Sequence, residues 1–245
     1  MFLFNSLRGA QDLIKLVIFD VWDTLLSLGG MHELLSLKLS KHLNLHLSDV
    51  LGVLMSVHRD VKNLRINRVP ASKVLEESRK RLCEKLGLSM DQFMLIHEEL
   101  RREAEEGKLE YLVVEGVREV LPHVKSRGLR TAILGNVLFW DSSITLSILK
   151  TSGLINFIDK YFFSDVLGAQ KPEFEAFASV LRYFNLRSDE AVHVGDNTRE
   201  DFGGALVAGL KAVLIKDLGG VIMTEEFAII PSIKYLAQVV DEWIT

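Results

Sequence analysis

The stretch Leu16-Val-Ile-Phe-Asp-Val-Trp-Asp-Thr-Leu-Leu26 decides the fold of this chain. Four apolar residues lead directly into Asp20, and two of them, Val17 and Ile18, are β-branched. A short, continuously apolar run of this kind is typical of a strand buried on both faces of a parallel sheet. The carboxylate of Asp20 then stands where the buried strand ends, which makes it the first candidate for chemistry.

The composition excludes several classes of protein. The chain has 245 residues, of which 48% are hydrophobic and 25% charged, and its formal net charge is −4. Because nucleic-acid binding needs a basic surface, we expect no nucleic-acid partner. The single cysteine, Cys83, excludes an intramolecular disulfide and favours a reducing cytoplasm. No stretch is long enough for a membrane span, and residues 1–10 are interpreted as a retained extension rather than a signal peptide.

Beyond the first strand, apolar runs alternate with segments of helical periodicity, which predicts an α/β fold around a parallel sheet. Helices on both faces of the sheet would give a Rossmann-like core of three layers. The predicted strands are Leu13–Asp20, Arg130–Asn136, Tyr161–Ser164, Ala191–Asp196 and Ala212–Lys216. The predicted helices of this core are Val117–Arg127, Asp141–Gly153, Pro172–Asn185, Thr198–Gly209 and Ile233–Trp243.

Residues 29–114 have no strand-like run and predict helices alone. Gly87 is expected to end one helix and Ser89 to cap the next. An inserted all-α domain therefore occupies residues 29–114, and the core consists of residues 1–28 and 115–245. The predicted helices of the insertion are Met31–Leu45, Ser48–Arg65, Ala71–Leu86 and Ser89–Glu106.

Polar residues recur where the predicted strands end. In open α/β sheets this edge binds ligands, so the residues found there are expected to meet. Any one of them alone has an ordinary structural explanation, such as a turn or a helix start. Their ordered occurrence along the chain favours function instead. The residues are Asp20 after the first strand, Gly135-Asn136 after the second, Lys171 before Pro172, and Gly195-Asp196 followed by Asp201.

This ordered set resembles the haloacid dehalogenase (HAD) superfamily, and the likeness extends from Leu13 onward. The helical insertion resembles the C1-type cap of that family. The resemblance implies a phosphatase in which Asp20 attacks phosphorus and forms an aspartyl-phosphate. Lys171 would assist as the second catalytic residue by neutralising charge and holding the phosphoryl group beside the nucleophile.

The resemblance also implies a Mg²⁺ site and a phosphate-binding site. Mg²⁺ prefers oxygen ligands, and it would screen the repulsion between Asp20 and a phosphate dianion. Its predicted ligands are Asp20, Asp196, Asp201 and the backbone carbonyl of Trp22. The predicted phosphate-binding residues are Thr24, Gly135, Asn136 and Lys171.

Two positions depart from the family pattern Asp-x-Asp-Gly-Thr and its second motif. Trp22 stands where phosphatases have the acid that protonates the leaving group, and it cannot transfer a proton. General acid–base catalysis contributes roughly 10²–10⁴ in rate, so poor leaving groups should react slowly. The neighbouring Asp23 is a weak candidate to replace it. Gly135 stands where the family has Ser or Thr, so one phosphate-binding hydroxyl is missing.

Trp22 leaves two alternatives to phosphate monoester hydrolysis. Haloacid dehalogenases have an aromatic residue at this position, which favours displacement at carbon. They are metal-free, however, and have Ser where this chain has Asp196; acids crowded around Asp20 would repel one another without a cation. The other alternative is a protein that binds phosphorylated ligands with little turnover. The expected partner in the main hypothesis is a small phosphorylated metabolite, and the protein is expected to be a monomer or homodimer.

The residues that select the substrate are harder to find in the sequence. The basic run from His58 to Arg68 is interpreted as a solvated helix face rather than a substrate-binding one. Phe139 and Trp140 are expected to lie in the core. His32 is interpreted as structural rather than as a replacement acid.

Overall fold

A computed structural model describes residues 14–66 and 69–244 of the protein. The predicted role of residues 1–10 lies outside these ranges. One seven-stranded sheet runs through the described residues in the order β3-β2-β1-β4-β5-β7-β6, and all its pairings are parallel except β6 with β7. The strands are β1 (Leu16–Phe19), β2 (Arg130–Gly135), β3 (Lys160–Phe163), β4 (Ala191–Gly195), β5 (Lys211–Ile215), β6 (Ile222–Met223) and β7 (Phe227–Ile230).

The alternation of side chains along β1 separates the two faces of the sheet. Val17 and Phe19 join one apolar cluster, whereas Leu16 and Ile18 join another on the opposite face, and all four side chains are fully buried. Period-two alternation with apolar residues on both sides is what a central parallel strand requires. The predicted three-layer α/β architecture is therefore confirmed.

Helices cover both faces of the sheet and form the insertion after β1. Those of the core are α5 (Val117–Ser126), α6 (Ser142–Thr151), α7 (Ser164–Leu167), α8 (Phe174–Phe184), α9 (Gly204–Val207) and α10 (Leu236–Trp243). Those of the helical insertion are α1 (Leu28–Leu43), α2 (Leu47–Ile66), α3 (Ala71–Leu86) and α4 (Met90–Glu105). None of the helices in the described ranges is both long enough and apolar enough to span a membrane.

Local signals explain where the helices of the insertion begin and end. Gly87 adopts a left-handed conformation (φ 67°) after α3, as its predicted C-cap role requires. Ser89 and Gln92 form a reciprocal capping box at the start of α4. The segments that enter and leave the insertion lie side by side, and the Ser27 amide donates to the Leu112 carbonyl at 2.7 Å. This pairing supports the proposed division near residues 28 and 115, which stays a prediction.

Two elements differ from the sequence prediction. Strand β7 and its short antiparallel partner β6 were not predicted, although Phe227-Ala-Ile-Ile230 has the apolar character of a buried strand. The predicted helix Thr198–Gly209 begins instead as a π-helical turn, Thr198–Gly203, before α9. In that turn the amides of Asp201 and Phe202 both donate to the Asn197 carbonyl at 3.1 Å. This turn carries Asp201, whose carboxylate contacts Lys171 and His193, and the helical period does not reveal either feature.

The helical insertion holds the loop after β2 by its backbone. Arg65 Nη2 donates to the Val137 carbonyl at 2.7 Å, and Arg79 Nε donates to the Phe139 carbonyl at 2.9 Å. Between them, the Ser78 hydroxyl donates to the Leu138 carbonyl. Three successive carbonyls are thus bound by side chains of α2 and α3.

Asp141 makes a second contact between core and insertion. Its carboxylate accepts from the Ser143 amide at 3.1 Å as the N-cap of α6, and it lies 3.2 Å from His97 Nε2 of α4. Hydrogen bonding from His97 lowers the pKa of the Asp141 carboxyl, and Ser143 and Arg79 lower it further against the opposing effect of burial.

We therefore expect Asp141→Ala to lower the free energy of unfolding by about 1–2 kcal/mol at neutral pH, the usual effect of losing an N-cap. Because the folded-state pKa is depressed, this stabilisation is present above the unfolded pKa of about 3.9 and is lost as the pH falls below it. Urea denaturation at pH 7 and at acidic pH measures both effects, with Glu76→Ala, at an exposed position within α3, as control. Equal stability of wild type and Asp141→Ala at pH 7 would contradict the assignment.

Candidate active site

Most of the predicted site residues meet at the carboxyl edge of the sheet. Phe19 pairs in register with Ile133 of β2 and with Val194 of β4, so the residues that follow these strands emerge side by side. A cleft of about 580 Å³, open to solvent, lies over this edge. The predicted residues that line it are Asp20, Trp22, Asn136, Lys171, Asp196 and Asp201.

Lys171 connects two of the acids. Its ammonium Nζ lies 2.6 Å from Asp20 Oδ1 and 2.5 Å from Asp201 Oδ1, and the side chain is only 1% exposed. Burial opposes the charge on Lys171, but the two carboxylates overcome it and raise the pKa of the ammonium above its usual value. Lys171 is therefore a permanently charged group beside the predicted nucleophile.

Asp201 is fully engaged within the protein. In addition to Lys171, His193 Nε2 lies 3.0 Å from its Oδ1, and the Asn197 amide donates to its Oδ2 at 3.0 Å. Burial opposes ionisation, yet Lys171 and His193 lower the pKa of Asp201 below its ordinary value. Asp201 thus acts as a fixed anion that orients Lys171. His193 was not predicted, because a histidine within an apolar strand reveals no partner in the sequence.

The negative charges of Asp20 and Asp196 are less well balanced by neighbouring groups than that of Asp201. Burial, followed by the neighbouring carboxylates, raises the pKa of Asp20 to about 8 despite Lys171. Burial and the charge of Asp201 raise the pKa of Asp196 to about 7. Within the described residues, no hydrogen bond reaches the Asp196 carboxylate. An additional positive charge would favour the ionised form of both acids at neutral pH.

The carboxylates fit a divalent cation. One oxygen from each of Asp20, Asp196 and Asp201 lies within 4.8 Å of the others. Among the described residues, the carbonyl oxygen of Trp22 accepts no hydrogen bond and is free to act as a further ligand. Such an all-oxygen set suits Mg²⁺ better than a softer metal.

Asn136 holds the loop that carries Lys171. Its Nδ2 donates to the Lys171 carbonyl and to Glu200 Oε2, each at 3.0 Å, and its Oδ1 accepts from the Lys171 amide at 3.0 Å. The amide is thus saturated by the protein itself. Its predicted bond to phosphate stays a prediction, whereas its contact with Lys171 is direct.

Thr24 and Gly135, the other predicted phosphate-binding residues, do not line the cleft. The Thr24 hydroxyl is buried and has no hydrogen-bond partner among the described residues. At Gly135 an added β-carbon would come within 2.7 Å of the Phe163 ring. The space that a Ser or Thr side chain would need is therefore occupied by that ring.

Trp22 and Asp23 both line the cleft but have different contacts. The Trp22 ring lines the cleft and packs edge-on against Trp140, with ring centroids 5.0 Å apart. Asp23 adopts a left-handed conformation (φ 59°), which is favourable for Gly and tolerated by Asp, and its Oδ1 accepts from the Leu28 amide at 2.9 Å. The exposed Asp23 thus caps the approach to α1 while remaining at the margin of the cleft.

Several residues of the insertion and the core reach the cleft contrary to prediction. His58, Lys62 and Arg65 of α2 line it, so the interpretation of this run as a solvated face is wrong for these three. Trp140 is buried, as predicted, but it also forms part of the wall. Glu200 was not predicted. Its Oε2 forms an ion pair with Arg65 Nη1 at 3.2 Å and accepts a hydrogen bond from Asn136 Nδ2.

His32 is buried beside His58. Its Nε2 lies 3.1 Å from His58 Nδ1, and the ring contacts Phe139 and Trp140. Because His32 is not part of the wall of the cleft, the contacts agree with the structural role expected for it.

Comparison with known proteins identifies relatives of this arrangement. A model of the haloacid dehalogenase-like hydrolases matches residues 14–209. Ribulose-1,5-bisphosphate 5-phosphatase of Halopiger xanaduensis is 32% identical over 105 residues, 43% of each chain. Glyceraldehyde 3-phosphate phosphatase of Pyrococcus furiosus is 34% identical over 106 residues, 42% of each chain. The chain thus matches less than half the length of these relatives.

Solved structures share the fold over nearly the whole chain. The Bacillus subtilis protein YfnB, bound to magnesium, superposes with a TM-score of 0.72 at 21% identity and covers 94% of this chain and 99% of its own. The L-2-haloacid dehalogenase of Xanthobacter autotrophicus superposes with a TM-score of 0.69 at 17% identity, covering 94% and 99%. At these identities the structures establish the architecture.

The contact between Gly195 and Asp201 gives a test of the site geometry. A β-carbon at Gly195 would overlap the Asp201 carboxylate, whereas one at Gly52 of α2 meets open space. We expect Gly195→Ala to lower the free energy of unfolding by about 1–3 kcal/mol, as overpacking does. Gly52→Ala, the matched control, should raise it by up to about 1 kcal/mol. Urea denaturation measures both, and a Gly195→Ala protein as stable as wild type would contradict this close approach.

Proposed function

Because this chain belongs to the haloacid dehalogenase-like hydrolase family, we propose that it hydrolyses a small phosphate monoester with Asp20 as the nucleophile. The observation that carries the proposal is the contact of buried Lys171 with both Asp20 and Asp201, with Asp196 in the same cleft. The phosphatase names of the partial relatives agree with it.

One carboxylate oxygen of Asp20 is hydrogen-bonded, and the other is open to react. Its Oδ1 accepts from Lys171, and no hydrogen bond to its Oδ2 is found in the described part of the chain. In the first step a carboxylate oxygen of Asp20 forms a bond to phosphorus, and the bond from phosphorus to the ester oxygen breaks. In the second step water attacks the phosphorus of the aspartyl-phosphate, which releases inorganic phosphate and restores the carboxylate.

Lys171 contributes a fixed positive charge to both steps. The Asp201 carboxylate and the Asn136 amide hold it in place, so it needs little reorganisation when charge builds up on the phosphoryl oxygens. We assign Lys171 to charge neutralisation and phosphoryl binding, with Asn136 supporting its loop. The predicted phosphate contacts of Thr24 and Gly135 stay predictions, because neither residue lines the cleft.

Asp20, Asp196 and the Trp22 carbonyl would hold Mg²⁺, together with Asp201, the fourth predicted ligand, whose carboxylate also binds Lys171. When bound, Mg²⁺ supplies positive charge that reduces the repulsion between carboxylates and phosphate. The support for this assignment is the pair of raised pKa values at Asp20 and Asp196, which show that the protein alone does not balance its acids.

Trp22 limits the range of substrates. The ring carries no group that protonates an alkoxide, and the exposed Asp23 carboxylate already accepts from the Leu28 amide through Oδ1. We therefore propose that good leaving groups react readily and alkyl esters slowly. The dehalogenase alternative is favoured by the aromatic residue alone and is disfavoured by the three clustered acids.

A first experiment tests the reaction itself. We expect hydrolysis of p-nitrophenyl phosphate in Mg²⁺, its loss in EDTA, and a decrease in kcat of at least about 10³-fold in Asp20→Asn. Asp91→Asn, at an exposed position, serves as the matched control. Release of p-nitrophenolate is followed by absorbance.

The outcomes separate the three functions. Absence of turnover with any divalent metal would exclude the phosphatase proposal. Metal-independent dechlorination of a 2-haloacid would establish displacement at carbon. Phosphate binding without turnover of either substrate would leave the ligand-binding role.

A second prediction concerns the missing acid. Trp22→Asp should raise kcat for an alkyl phosphate by about 10²-fold or more, because it restores a proton donor beside the leaving group. Trp22→Ala removes the ring without adding an acid and should show no such gain. Phosphate release from the two variants measures the effect; equal gains in both would mean that space, rather than proton transfer, limits the reaction.

A further inference from the structure

One face of helix α2 is directed at the cleft. His58, Lys62 and Arg65 follow one another at intervals of four and three residues, the spacing that places side chains on one side of a helix. All three line the cleft that contains Asp20 and Lys171. The helical insertion thus brings basic groups opposite the predicted nucleophile.

Two members of this face already have partners. Arg65 is buried, forms an ion pair with Glu200 and donates to the Val137 carbonyl. His58 uses Nδ1 for its contact with His32. Burial, and then the neighbouring positive charges, lower the pKa of His58 to about 3, so it is neutral near pH 7. The contacts of Arg65 join α2 to the core, and the contact of His58 joins α2 to α1.

Lys62 differs from the other cations of the cleft. Lys171 is paired with Asp20 and Asp201, and Arg65 is paired with Glu200. Within residues 14–66 and 69–244, Lys62 forms no hydrogen bond and no ion pair, although it is half-buried. Its charge is close enough to lower the pKa of both His32 and His58. Its charge also acts on Asp196, whose pKa it lowers. The Lys62 ammonium therefore faces the cleft without a direct partner among the described residues.

The surroundings strengthen the attraction of Lys62 for an anion. Trp22, Trp140, Leu28 and Leu138 form apolar parts of the same wall. A charge beside apolar groups interacts more strongly with an opposite charge than it does in open water. Since Lys171 and the carboxylates provide the phosphoryl site, the Lys62 side of the cleft is available to the organic part of a substrate.

We propose that Lys62, supported by His58 and Arg65, forms a subsite for a second anionic group on the substrate, either a carboxylate or a second phosphate. This rests on the proposed phosphatase function, and it narrows the substrate class to phosphate monoesters that carry another negative charge. Lys62 determines specificity by binding that charge. Arg65 and His58 position the helix on which it stands.

Non-hydrolysable ligands test the subsite separately from turnover. The ligands are 3-phosphonopropionate, in which the second anionic group is a carboxylate, 1,3-propanediphosphonate, in which it is a phosphonate, and propylphosphonate, which has no second anionic group. Each is titrated calorimetrically into the full chain with Mg²⁺. We expect wild type to bind at least one of the doubly headed ligands about tenfold more tightly than propylphosphonate. Comparison of the first two distinguishes a carboxylate from a phosphate as the preferred second group.

Variants of α2 assign the preference to Lys62. Lys62→Gln should bring the affinity ratio close to one, and Lys62→Arg should retain most of it. Arg59→Gln, which removes a charge from the exposed face of the same helix, should keep the wild-type ratio. Thermal unfolding of each variant verifies that the fold is intact.

Three results would overturn the proposal: no preference in wild type, a preference that survives in Lys62→Gln, or an equal loss of all ligands in that variant. The last would place Lys62 on the phosphoryl group itself. Failure of p-nitrophenyl phosphate hydrolysis together with a Lys62-dependent ratio would instead reject the enzyme and keep the subsite.

Discussion

The placement of one ammonium between two buried carboxylates is the constraint on which the site depends. Lys171 bridges the end of β1, through Asp20, and the turn after β4, through Asp201. Removing one member of such a buried group leaves an uncompensated charge, which is much more costly than losing a surface ion pair. The π-helical turn, the Asn136 amide and the His193 ring all act on this group, since each fixes Lys171 or Asp201. Three local features at this edge of the sheet therefore contact the same group of buried charges.

Much of the fold was predictable because burial leaves a periodic pattern. Runs such as Ala191–Gly195 are apolar throughout, and the switch to helical spacing after each run defines the alternating units. Ser89 and Gly87 carry local capping signals. β7 was missed although its apolar run is visible and the predicted helix Ile233–Trp243 follows it.

The site was predictable only where it follows strand ends. Asp20 and Asp196 are directly attached to buried strands, so the topology brings them together. Glu200, His193 and the cleft-facing residues of α2 reach the site through tertiary packing. Their spacing alone is compatible with a solvated helix face or a buried core, and the difference depends on how α2 lies against the sheet. The close fit of Phe163 at Gly135 was likewise invisible, because it joins residues 28 positions apart.

The hydrogen bonds between the insertion and the loop after β2 connect the position of the insertion with the support of Lys171. The carbonyls of residues 137–139 are held by Arg65, Ser78 and Arg79, and the same loop begins with Asn136, which supports Lys171. A rigid rotation of the insertion away from the core must break all three bonds together, at a cost of about 0.5–1.5 kcal/mol each. Such a rotation therefore also frees the segment that directly follows Asn136, the residue that supports Lys171. A movement of the insertion would in this way be transmitted to the loop that steadies the cation.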